Sequence, residues 1–291
     1  SRQTEVVGRF ADHFARSLRR PSLHRLGRFF LPKRSLLYCL TLTIMKKNLK
    51  DLVRELKANA NAKKSATLAK YFKTGTGEYG AGDRFLGLTV PQQRTIARAY
   101  AHLSFSDLAT LAKSPIHEHR FTCTEILQLK YALAKKSPTP QDSLAEQERL
   151  AKWYLEHARC FNNWDLVDNS ARDILGAYLY QKGNTAILDR LARSANLWER
   201  RIAIISTYFF IQQGEFTDTI RICEILISDE HDLIHKACGW MLREIGKRSP
   251  IGLKTLRSFL DTHAVSMPRT MLRYAIERFS ASQRAKYLRM A

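Results

Sequence analysis

FNNWDLVD at residues 161–168 is followed by LWERRIAII at residues 197–205 and by KACGWMLRE at residues 236–244, and the spacing of these stretches decides the fold. Trp164 and Asp168 stand four apart, so on a helix an indole and a carboxylate share one face, while Asp165 is one residue round and faces elsewhere. Arg201 comes 37 residues after Trp164, and Trp240 comes 39 after Arg201. Those intervals match the ~40-residue period of HEAT-type helix pairs. Residues in the same place of successive repeats converge on one surface, the usual binding face of a solenoid. Taken singly, either tryptophan reads as core and Asp168 as a local cap. A carboxylate, a cation and two indoles in repeat register read otherwise, because burying charge needs a reason.

Outward from these stretches the pattern stays helical. Leu52, Val53 and Leu56, and Leu150, Trp153, Tyr154 and Ala158, recur at helical spacing, and no segment sustains two-residue alternation. Pro115, Pro138 and Pro250, each preceded by a serine, mark helix stops, and further breaks fall at Gly183 and Gly214. Segments of one to two dozen residues joined by short loops predict an all-α chain: an α-solenoid of HEAT-like antiparallel helix pairs with a concave basic face.

Across 291 residues, Lys and Arg number 48 against 27 Asp and Glu, a formal net charge of +21. Such an excess points to a polyanion, with nucleic acid first and an anionic membrane surface second. The apolar run at residues 36–44 is about half the ~20 residues needed to span a bilayer, so no membrane helix is expected. Cys39, Cys123, Cys160, Cys223 and Cys238 are odd in number and far apart, which predicts reduced thiols, mostly in the core, of a cytoplasmic protein. Residues 1–44 are rich in arginine and read as an appended basic extension to the domain at 45–291. Met45 is the expected biological start, with an import peptide as the alternative.

Two motifs are decoys. GTGEYG at residues 75–80 matches a dinucleotide-loop fingerprint, but a basic helix rather than a strand precedes it. A flexible loop whose backbone N–H groups, with Lys73 and Arg84, meet phosphates is the better expectation. His231 and His235 share a helix face like a zinc-protease pair, yet Asp232 replaces the glutamate base and no third ligand is evident. They are expected to be solvated or phosphate-facing. His117 and His119 point to different faces and form no pair.

The Trp164/Asp168 pattern, the stretch Trp198 to Ile204 and the stretch Lys236 to Glu244 resemble the AlkD-like DNA alkylation-repair glycosylases. Tyr71 to Lys73, FLGLTVPQQR at residues 85–94 and the tail after Pro250 extend the likeness from about Met45 to the C-terminus. One departure is Asn163, where some members carry a second aromatic. The resemblance implies excision of positively charged N3- and N7-alkylated purines from duplex DNA, held against the surface without flipping. It implies Trp164, Asp168, Arg201 and Trp240 as the catalytic set, with Arg201 gripping a phosphate through its two-pronged guanidinium. Tyr71, Lys73, Arg84, Arg94, Arg120, Arg172, Lys236, Arg243, Lys247 and Arg248 are the expected DNA contacts. A cationic base is already a good leaving group, so no metal or other cofactor is expected, and a monomer suffices. The rival is a HEAT-like protein without catalysis, either a binder of DNA structure or a protein scaffold.

Overall fold

The computed structural model describes residues 47–290; the basic extension at 1–44, Met45 and Cys39 lie outside them. The described residues are helical with no strand, as the periodicity predicts, apart from one isolated bridge between Arg84 and Ile116. In chain order the helices are α1 (Leu49–Ala58), α2 (Ala62–Tyr71), α3 (Val90–Ala99), α4 (Phe105–Ala112), α5 (His117–Ala134), α6 (Pro140–Glu156), α7 (Trp164–Ser170) and α8 (Ala177–Lys182). There follow α9 (Ala186–Ala192), α10 (Leu197–Ser206), α11 (Tyr208–Gln213), α12 (Thr217–Ile225), α13 (Asp232–Arg248), α14 (Pro250–His263), α15 (Arg269–Ala275) and α16 (Ala281–Met290).

Boundaries follow local chemistry. Asn48 and Ser104 build capping boxes with Asp51 and Asp107, each side chain satisfying an N–H that the helix leaves free. Pro140 and Pro250 open α6 and α14 at the first helical turn, where a missing N–H costs nothing. The prolines therefore start helices as well as stop them.

One row of helices carries the sequence-flagged residues. α3 packs on α5, α5 on α7, α7 on α10, α10 on α13, and α13 on α15. Behind this row α4 and α6 lie against α5, α9 against α10, and α14 against α13. Such neighbour-to-neighbour packing is the order of an α-solenoid. The apolar stripes between helices form the core: Leu108, Phe121, Ile126, Leu127, Leu150, Tyr154, Phe161, Leu166 and Ile202 are all sealed from solvent. Cys123, Cys223 and Cys238 are buried free thiols in it, and Cys160 is a half-buried one. Close approach of α15 to α13 requires Gly239, since a Cβ there would sit 2.5 Å from the Met271 carbonyl oxygen. After α7 the chain takes a π-helical turn, Arg172–Gly176, a device common beside functional sites and invisible to the sequence pattern.

Candidate active surface

Asn163 opens α7 with its side-chain oxygen 2.8 Å from the Trp164 N–H, and it is wholly buried. That is the physical use of the residue at which the sequence departs from an aromatic: it caps the helix that presents Trp164 and Asp168. Trp164 is half-buried, stacked on Phe72 at 5.2 Å and met edge-on by Tyr71 at 5.9 Å. Its indole N–H donates to the Tyr79 hydroxyl at 3.3 Å. Phe72 belongs to the Tyr71–Lys73 stretch of the resemblance, whereas Tyr79 carries no sequence signal beyond being an aromatic inside a glycine-rich stretch.

One turn along α7, Asp168 accepts two hydrogen bonds from Arg201, from Nε at 2.9 Å and Nη2 at 2.8 Å. Both side chains are about 5% exposed, at 6% for Asp168 and 5% for Arg201. Arg201 Nη1 donates to the Leu233 carbonyl of α13. Three of its five N–H groups are thereby engaged by Asp168 and the adjoining helix. Burial pushes the Asp168 carboxyl above the usual carboxylate range, and Arg201 opposes that shift. Both oxygens accept from the guanidinium, the arrangement of an ionised carboxylate with lone pairs left over for a water.

Trp240 lies about two turns beyond Leu233 on α13, half-buried, with its ring 5.7 Å from that of Tyr208. Arg172 sits 5.5 Å from the other partner of that ring system, the Tyr208 centroid, while its Nε and Nη2 pair with Asp173. Asp168 and Arg201 are thus brought into direct contact, Trp164 lies one turn from Asp168 on α7, and Trp240 stands on α13, the helix beyond Arg201 in the row.

The expected DNA contacts separate by burial. Arg120 and Arg243 are buried, Arg120 paired with Asp83 at 2.7 Å and Arg243 with Glu277 and Glu244. Arg94 binds Glu125 and Asn169, and Lys236 binds Asp232 at 2.6 Å. Arg94 ties α3 to α5 and α7, Arg120 ties α5 to the loop at Asp83, and the Lys236 pair lies within α13. Lys73, Arg84, Lys247 and Arg248 are exposed, Lys247 beside Glu244 and Arg248 on the Gln212 carbonyl. Among the described residues the side chains of Lys73 and Arg84 make no ion pair. Tyr71 belongs to the ring cluster around Trp164. Of the histidine pair, both half-buried, His231 caps α13 by accepting the Leu233 N–H, and His235 contacts the Asp229 carbonyl.

Hydrogen bonds hold the segment from Lys73 to Leu88 at both ends. The buried Glu118 carboxylate accepts the N–H groups of Leu86, Gly87 and Leu88 at 2.9, 2.7 and 3.3 Å. Gly75 N–H goes to Glu78 and Gly80 N–H to the Lys73 carbonyl. Asp83 accepts from His117 and Asn163, each at 3.4 Å. On its other nitrogen His117 meets Asp165 at 2.8 Å. Burial alone would lower the His117 pKa, but the Asp165 and Asp83 carboxylates prevail and raise it to about 9.

That shift has a definite sign. Folding binds the His117 proton more tightly than the unfolded chain does, so its stabilisation is complete below the unfolded value of about 6.5 and disappears as pH rises through about 9. Urea unfolding should show a loss of stability on the order of 3 kcal/mol across that window, absent in His117→Asn. A wild-type stability flat from pH 6.5 to 9 would contradict the assignment.

The family model described as DNA alkylation repair enzyme matches residues 52–279. Among solved structures the chain is similar to a predicted DNA alkylation repair enzyme from Enterococcus faecalis, with 14% identity and a TM-score of 0.54. That likeness covers 76% of this chain and 97% of the other, and at such identity it speaks for the fold alone. No curated protein sequence matches this chain.

Proposed function

This chain belongs to the DNA alkylation repair enzyme family, and from that premise we propose that it is a DNA glycosylase for positively charged alkylpurines in duplex DNA, working as a monomer in the cytoplasm. The observation that carries the reading is the Asp168 carboxylate, held in a fixed plane by Arg201 on the helix face of half-buried Trp164. An N3- or N7-alkylated purine is cationic, so when the bond from C1′ to the base nitrogen breaks, the electron pair leaves with a neutral base. No proton has to be delivered to it. The sugar is left with oxocarbenium character, which a preorganised carboxylate stabilises at the moment charge develops. Electron-rich faces of Trp164 and Trp240 favour the same cationic sugar. Water adds to C1′ and gives up a proton, with the unused lone pairs of Asp168 placed to orient it.

The test is a duplex carrying one N7-methylguanine. Conversion to an abasic site, seen as an alkali-labile break, is expected; binding without conversion would favour the non-catalytic reading, in which the ion pair is architecture.

DNA binding should weaken with salt less steeply than the net charge suggests, because most candidate cations are already paired. If Lys73, Arg84, Lys247 and Arg248 each neutralise one phosphate, raising salt from ~50 to ~200 mM should cost about 10²-fold in affinity. Titration by fluorescence anisotropy checks this, and an affinity indifferent to salt would contradict it.

A further inference from the structure

Trp164 can do its proposed work only if its indole plane is fixed, and stacking on Phe72 does not fix it fully. Two nearly parallel rings, here 26° apart, can slide and turn over one another at little cost. A second constraint is needed, and Tyr79 supplies it: its hydroxyl oxygen lies 3.3 Å from the Trp164 Nε1 donor. The Tyr79 ring is itself held edge-on against Trp198 of α10, with centroids 6.1 Å apart. Resting on the glycosylase reading, we propose that Tyr79 is a positioning residue, which sets the orientation of the Trp164 indole against the sugar.

The loop around Tyr79 is built for that placement. Gly77 and Gly82 bracket it in left-handed backbone, at φ 80° and 87°. At Gly80 a Cβ would come within 2.3 Å of the Phe72 carbonyl oxygen, so glycine lets the loop close onto the segment that carries the stacking ring. Asp83, at the far end, accepts from the side chain of Asn163, the residue that caps α7. One loop therefore touches Trp164 twice, at its indole N–H and through its helix cap. Burial raises the Tyr79 pKa, partly opposed by the Trp164 hydrogen bond, so the hydroxyl keeps its proton at neutral pH.

The experiment uses the full chain and Tyr79→Phe, which removes one oxygen and keeps the ring against Trp198. Indole N–H resonances are recorded, with Trp164 assigned from Trp164→Phe, and single-turnover base release is measured on an N7-methylguanine duplex. The Trp164 resonance should move while those of Trp153, Trp198 and Trp240 stay. Release should slow about tenfold with DNA affinity unchanged, since small misplacement of a reacting-site group acts on rate. In the Trp164→Phe background the tyrosine change should add nothing further. An unmoved Trp164 resonance, or a folded Tyr79→Phe protein releasing base at the wild-type rate, overturns the proposal. If the wild-type chain itself releases no base, the glycosylase reading fails, and the proposal falls with it.

Discussion

Asp168→Asn should slow base release by on the order of 10²–10³-fold per folded molecule, about 3–4 kcal/mol of lost transition-state stabilisation. The side chain keeps its size, so the loss is one of charge where the sugar becomes cationic. DNA affinity should hold or rise, because the substitution removes a negative charge from the binding side; a rate that falls while binding does not is the mark of a group acting in the transition state. Wild-type release should also decline in acid from a pH above the usual carboxylate range, since burial raises the Asp168 pKa. Single-turnover rates across pH, normalised to folded protein, measure both. Sequence spacing alone gives Asp168 no partner and predicts unchanged stability. The geometry predicts otherwise, because asparagine leaves the buried Arg201 without its counter-charge.

The second large effect follows from that pair. Arg201→Gln should destabilise the fold by about 3–5 kcal/mol, the usual result of leaving one buried charge uncompensated. Combining it with Asp168→Asn should restore much of that stability, since two amides of complementary polarity replace two opposed charges. Rate should not return with stability. Urea unfolding of the wild type, both single variants and the double variant measures the coupling. Strictly additive losses would mean that the two side chains do not depend on one another, against the bidentate geometry.

The helical order and the register of the site residues were legible because both are periodic. Trp164 and Asp168 share a helix face at four-residue spacing, and ~40-residue intervals place Arg201 and Trp240 on successive helices of one row. Periodicity says nothing of partners. That Arg201 spends its fork on Asp168 and Leu233, or that Arg120 spends its charge on Asp83, depends on how far neighbouring helices approach, which packing sets. A count of basic residues therefore overstates the cations free to meet phosphate. The role of the loop at residues 73–89 was illegible for a related reason: Gly80 is required by the Phe72 carbonyl, Gly87 by the Asn61 carbonyl and Ser65 N–H, and the anchoring of its far end on Glu118 is a contact made across the fold.

Base excision by the surface built around Asp168 is the property on which every role proposed above depends. The most direct measurement incubates the full chain with methylated duplex DNA and identifies released bases by chromatography, beside the Asp168→Asn/Arg201→Gln protein. Free N7-methylguanine and N3-methyladenine from the wild type, with release by the double variant reduced at least a hundredfold, is the predicted result. No released base from a folded wild-type protein that binds the same DNA, or equal release from the two proteins, would contradict it.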